Sequence, residues 1–460
     1  MKKKIIAGLL AGMMIAGCGT AQGTGGGTRE SQTEPGEHVS SGSEPGSSQE
    51  TPVEISEESI NVSETVSPIE VSYSESDLNE EWISALSGSS VNLFENILEG
   101  SGEGQNILIS PTSMMMAFGM TENGAAGGTL SEMENVINGG ISCQQMNPIM
   151  YAMAEHLESS EDVKWNVANS VWMRNDGLFE IVPEFAQAAR SWYDADIWMA
   201  PFDEGTVRDI NGWVSNETRG MINEIINGID DENRMFLINA MAFEGEWEIE
   251  YSEDQIIENY SFTNYDGSTS NVTMLFSTEA SYIELGDGIG FIRPYKGNQY
   301  SFVGILPDEG ISVNDYITSL ASGGADFSEA VRNPRYHDAD IYVRMPEFTT
   351  EYEIQMRDVL TEMGMTTPFD PENADFSGIM RPVSDPEYNI WISSVLHKTF
   401  IDVNREGTRA AAVTSISLDT CMATPEYVEP LYITLDRPFV YAIVDNETGL
   451  PVFLGCVNSL

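Results

Sequence analysis

Apolar and polar positions change rhythm several times along this chain. Residues 407–421 alternate with a period of two. Thr408, Ala410, Ala412, Thr414, Ile416, Leu418 and Thr420 fall on one face, which is small to apolar. Arg409, Ala411, Val413, Ser415, Ser417, Asp419 and Cys421 fall on the other, which mostly tolerates water. The pattern predicts a half-buried strand. Yet Asp419–Glu429 has the composition of an exposed loop, so one stretch suits both states and reads as a conformational switch. Far upstream, Ile5–Ala16 is an apolar run behind Lys2, Lys3 and Lys4, too short to span a bilayer as a stable helix. Gly, Ser, Thr, Pro and Glu then dominate from Gly19 to Ser76, with few apolar residues. Such a segment cannot bury enough surface to offset its ordering entropy. It predicts a flexible, self-repelling acidic tether that adds no core contact.

Several motifs then occur in one order. Asn106-Ile-Leu-Ile-Ser110-Pro111-x-Ser113 is followed by Asn123-Gly124-Ala125-x-Gly127-x-Thr129, Ala168-Asn169 and Pro183-x-Phe185. Ile210-Asn211-x-Trp213-Val214 precedes Gly220-x-Ile222, then Leu237-Ile-Asn239-Ala240 and Phe243-x-Gly245-x-Trp247. Ala374-Asp375-Phe376-Ser377-Gly378, His397-Lys398 and Glu406-Gly407-Thr408-x-Ala-Ala-Ala-x-Thr follow, and Ile433-x-Leu435-Asp436-Arg437-Pro438-Phe439-Val440-Tyr441 closes the series. Over residues 80–460 this resembles the serpins, a family of serine protease inhibitors. No second core shows, so the expected division is a signal peptide at 1–17, a tether at 18–76 and one serpin domain at 77–460.

The resemblance implies an α+β fold with a large central mixed sheet, two smaller sheets, about eight or nine helices and an exposed reactive loop. It implies a metastable protein that acts as a suicide substrate. The target serine protease cleaves the loop and is acylated, and the freed loop enters the sheet as a new strand. By the family pattern, Glu406, Gly407, Thr408, Ala410, Ala411, Ala412 and Thr414 form the hinge. Ser110, Ser113, Asn239 and His397 form a polar shutter under the sheet. Trp247, Glu347 and Arg405 lie at the breach, where insertion starts. Family members usually carry Lys at the position of Glu347 and Glu at that of Arg405; both signs are inverted here, which keeps an ion pair possible. The bond expected to be cut is Cys421-Met422, with Met422-Ala423 next and slippage toward Tyr427-Val428 allowed. No Lys or Arg lies between Ala410 and Asp436, so the bait suits elastase-, subtilisin- or chymotrypsin-like pockets rather than a trypsin-like one. The alternative is a non-inhibitory surface module of the same fold.

Charge narrows the partners. A net charge of −52 and a pI near 4.1 argue against nucleic acid and anionic lipid. Ile15-Ala16-Gly17-Cys18 resembles a bacterial lipoprotein cleavage box, which implies acylation at Cys18 and an extracytoplasmic, membrane-anchored protein, expected as a monomer. Without Cys18, three cysteines remain, an odd number that cannot all pair: Cys143, Cys421 on the loop, and Cys456 in a C-terminal apolar strand, expected as a small buried hydrophobe. No spacing suits a metal, and no cofactor is implied. No Gly-x-Ser-x-Gly elbow supports a triad of Ser110, His397 and Asp436, and Cys421 lies in a stretch unfit to hold a nucleophile against His397. An enzyme is not expected.

Overall fold

A computed structural model describes residues 52–73, 79–102, 104–158, 162–384, 389–408 and 428–460. In chain order the elements begin with β1 (Ile60–Asn61), α1 (Glu80–Gly100), β2 (Ile107–Ile109), α2 (Pro111–Glu122), α3 (Gly127–Val136), α4 (Cys143–Glu158), β3 (Val163–Arg174), β4 (Phe179–Ile181), α5 (Pro183–Tyr193) and β5 (Asp196–Ala200). Next come α6 (Glu204–Glu217), β6 (Met235–Glu246), β7 (Ile256–Thr263), β8 (Thr269–Glu279), β9 (Tyr282–Glu284), β10 (Gly288–Pro294), β11 (Tyr300–Pro307), α7 (Val313–Ser319), α8 (Phe327–Arg332), β12 (Ile341–Pro346) and β13 (Phe348–Gln355). The chain ends with α9 (Arg357–Glu362), β14 (Met380–Pro382), β15 (Ser394–Val403), β16 (Gly407–Thr408), β17 (Leu431–Thr434), β18 (Phe439–Asp445) and β19 (Pro451–Val457).

Seven strands form the central sheet, in the order β1-β5-β3-β6-β16-β15-β13. A six-stranded sheet runs β2-β19-β18-β11-β10-β9, a four-stranded one β17-β12-β8-β7, and β14 pairs with β4. This is the expected α+β architecture, with nine α-helices among the described residues.

β6 is buried almost throughout because both its faces are covered. On one side Phe236, Ile238 and Ala240 pack with Trp172 and Trp198 under Ile210, Trp213 and Val214 of α6. On the other, Leu237, Met241 and Phe243 join the main core with α2 and the six-stranded sheet. α2 is wholly buried, mostly apolar through its middle, and carries its polar side chains near its two ends. Its start is set by Ser110, whose side chain accepts from the Ser113 N–H, and by Pro111 in the first turn.

The expected tether boundary at residue 76 does not hold. Residues 52–73 belong to the same compact unit as the rest of the domain. β1 pairs antiparallel with β5, matching Ile60 to Met199 and Asn61 to Trp198. Ser59 Oγ donates to the buried carboxylate of Asp209 on α6 at 2.6 Å, and the Ser56 N–H donates to the same group at 3.0 Å. Asn216 clamps Val53 through both its backbone groups. Arg190 donates to the carbonyls of Ser63 and Val66. Val53 also sits against Gly212, where an added Cβ would come within 2.7 Å of it. Ile55, Val62 and Val66 also pack against the core, but composition missed the strap because its apolar residues are sparse and much of its hold is hydrogen bonding. The sequence signal was on the partner: a carboxylate on the covered side of a helix needs donors from somewhere.

Candidate functional site

The candidate site is the seam between β6 and β15. The two strands pair in parallel from Ser394 opposite Phe236 to Phe400 opposite Ala242. Above that they part, and β16 is wedged between them. Gly407 faces Glu246 and Thr408 faces Gly245 on one side, while Thr408 faces Val403 on the other. The wedge fits only a glycine at 407, since a Cβ there would collide with the Gly245 carbonyl oxygen. Thr408 is fully buried, and its hydroxyl lies 2.6 Å from the Tyr295 hydroxyl.

Trp247 roofs this point. It stacks on Tyr295 with ring centroids 4.6 Å apart, and its indole N–H donates to the Asn404 carbonyl at 2.9 Å. Its backbone N–H donates to the carbonyl of Glu406, and that of Tyr251 to the carbonyl of Arg405. Below Trp247, Arg293 lies over the Tyr251 ring at 4.0 Å and pairs with Glu279 at 2.7 Å, both nearly buried. Asn404 shapes the turn into β16, its side-chain oxygen accepting the N–H groups of Glu406 and Gly407. Arg405 grips Glu347 at the head of β13, with Nε 3.0 Å from Oε1 and Nη2 3.4 Å from Oε2. Arg405 also donates its backbone N–H to the same carboxylate.

Halfway down the seam lies a second cluster. His397 on β15 is fully buried, and loss of hydration pushes its pKa down to about 3, so the ring is neutral. Its Nε2 accepts the Ser110 backbone N–H at 3.1 Å, which leaves Nδ1–H to donate to Asn239 Oδ1 on β6. The Asn239 amide then donates to the Ser113 carbonyl at 3.0 Å and the Ser113 hydroxyl at 2.5 Å. The Ser110 hydroxyl donates away from the histidine, to the Val452 carbonyl at 2.8 Å. Ser110 and His397 are therefore not arranged as nucleophile and base. The cluster pins α2 to both lips of the seam.

All the shutter and breach residues named from the sequence meet in these two places, with Glu406, Gly407 and Thr408 of the hinge. Ala410, Ala411, Ala412, Thr414, Cys421 and Met422 lie outside the described residues, as does Cys18. Cys143 and Cys456 are buried free thiols. Asn169, quoted from the sequence only as part of a motif, joins the second cluster by accepting from the Asn239 amide. Sequence reasoning missed Asn404, Tyr295 and Arg293. Asn404 had a faint signal as a turn former just before the hinge glycine; the others gave none, because only the sheet stacking brings them to the seam.

Comparison with known proteins decides the family. The family model described as serpin (serine protease inhibitor) matches residues 84–460. This chain belongs to the serpin family. Human neuroserpin is 29% identical over 394 residues, covering 81% of this chain and 90% of that one. Iripin-8 of Ixodes ricinus is 30% identical over 378 residues, covering 78% and 89%. Among solved structures, the native state of the thermophilic serpin tengpin superposes with a TM-score of 0.79 at 40% identity, covering 88% of this chain and all of that one. Its latent state superposes at 0.70 and 37% identity, covering 86% of this chain and all of that one. Serpins are mostly protease inhibitors rather than catalysts, and some inhibit nothing.

Proposed function

We propose that this serpin is a suicide inhibitor of serine proteases with elastase-, subtilisin- or chymotrypsin-like pockets. The observation that carries this reading is the register of β16. Continued along β6 and β15, it sets even-numbered positions of the following segment toward the core and odd-numbered ones toward α6. The core-facing positions would be Ala410, Ala412 and Thr414, small enough to enter without overpacking. Position 414 would arrive between Asn239 and His397, so complete insertion must break their hydrogen bond. Position 409 would arrive between Glu244 and Asp402, where an arginine finds two carboxylates. The protease supplies the chemistry: its serine attacks the bait at or near Cys421-Met422 and stays acylated while the strand enters. Cys18 is proposed as an acylated anchor that holds the protein outside a bacterial membrane.

The test is to mix the purified protein with a panel of serine proteases. An SDS-stable complex, with a released C-terminal peptide beginning at Met422 or close to it, is the expected result. Cleavage with no complex would favour the passive surface module of the same fold.

A further inference from the structure

Away from the seam, the core holds a carboxyl group at the end of α2. Glu122 ends α2 and is 1% exposed. Asn138, just beyond α3, donates its side-chain amide to Glu122 Oε2 at 2.8 Å and to the Ile141 carbonyl at 3.3 Å. That leaves two buried oxygens, Glu122 Oε1 and Asn138 Oδ1, on the same two side chains, and neither has a partner. With Glu122 ionised, both are acceptors and nothing joins them. Buried acceptors without donors are costly and uncommon. A carboxyl and a primary amide already joined by one hydrogen bond close a second one only when the acid keeps its proton and donates it to the amide oxygen.

We propose that Glu122 stands as the neutral acid at neutral pH, with Oε1–H donated to Asn138 Oδ1, and that this two-bond clasp is a proton-dependent clamp on α2. The other end of that helix carries Ser110 and Ser113, so the clamp steadies the element that pins the seam.

The surroundings agree. The titratable groups that interact electrostatically with Glu122 are Glu134 on α3, Cys143 on α4 and Tyr193 on α5, and none is a cation. Glu134 is already engaged, accepting the Cys143 N–H at 2.8 Å, and the Tyr193 hydroxyl donates to Asn147 at 2.7 Å. The carbonyl end of a helix also disfavours negative charge. Burial raises the Glu122 pKa to about 8, with Glu134 adding to the rise and the Asn138 bond opposing it. The unfolded chain releases this proton near 4.5, so between 4.5 and about 8 the folded protein holds one proton more. The stability contributed by the acid form is complete below 4.5, drains as pH rises, and is gone above about 8. There the proton has left to solvent, and an unpaired carboxylate sits beside Glu134.

The experiment needs no protease, so its outcome is independent of the inhibitor reading. Thermal unfolding is followed from acid to alkaline pH for the parent and Glu122→Gln. The glutamine has the same shape and offers a permanent N–H to Asn138 Oδ1. It should match the parent in acid and unfold at a higher temperature above pH 8, with the gap opening through the window between 4.5 and 8 and then levelling. Difference infrared spectra of the parent should show a protonated-carboxyl band that bleaches as pH passes about 8 and is missing from Glu122→Gln. A gap independent of pH would overturn the proposal, as would a parent with no such band. The band is read on the parent alone, so the test survives a variant that does not fold.

Discussion

β16 and β1 are each two residues long, and each adjoins a stretch rich in small and polar residues. They differ in where the sheet receives them. β16 pairs on both sides, with β6 and β15, at a point where the next residues could extend it only by parting those strands. β1 pairs on one side, at the outer edge against β5, and its hold comes from side chains on α5 and α6. An interior wedge is limited by fit: one glycine, one buried threonine, one roof of aromatic rings. An edge strand is limited by anchors. Patterning reads the first segment as a half-buried strand and composition reads the second as a tether, yet the first is wedged between two strands and the second fastens the outer edge of the sheet.

Thr408→Arg should have the largest effect. It places a charge in a fully buried position against Tyr295, and burying an unpaired charge costs several kcal/mol. The variant should be cleaved at the same bond as a substrate, with no SDS-stable complex. Trapping at normal stoichiometry would mean that the wedge is not the start of insertion.

Removing the strap should come next. Hydrogen bonds to a charged acceptor are worth about 1.5–3 kcal/mol each, and Asp209 would lose those from Ser56 and Ser59. A chain beginning at Asp77 should unfold several degrees lower than one beginning at Pro52. Equal unfolding temperatures would show that residues 52–73 rest on the domain without supporting it.

Arg409→Glu should act more gently, and only on insertion. It would set a third carboxylate beside Glu244 and Asp402, so inhibitory stoichiometry should worsen while thermal unfolding of the uncleaved protein stays unchanged. Indifference in both would break the register continued from β16.

The smallest effect belongs to Arg405 and Glu347. Arg405→Glu should weaken the turn into β16, and Glu347→Lys should rescue it. Both side chains are partly exposed, so a double-mutant cycle read by unfolding should give a coupling of about 1 kcal/mol. Additive effects would show that the two act separately.

Much of the seam was legible before any coordinates. Motif order along residues 80–460 carried the family, and with it the sheet, the histidine beneath it and the tryptophan above. The inverted signs at 347 and 405 could be read as a retained pair because two charge changes at separated positions cancel. The strap was not legible. Its apolar residues keep no sustained period of the kind that marks a packed segment, and its donors matter only because Asp209 and Asn216 wait 150 residues or more along the chain.

Sequence by itself determined what local chemistry dictates: small residues that can change faces, a serine and proline that start a buried helix, and a glycine where no Cβ fits. Tertiary structure alone decided what depends on partners distant in the chain. It made His397 neutral by burying it, chose its tautomer through Ser110 and Asn239, and set Tyr295 beneath Thr408. It also brought Asn138 to Glu122, leaving two acceptor oxygens that only a proton can join. Burial and register are properties of the assembled sheet, and no window of neighbouring residues contains them.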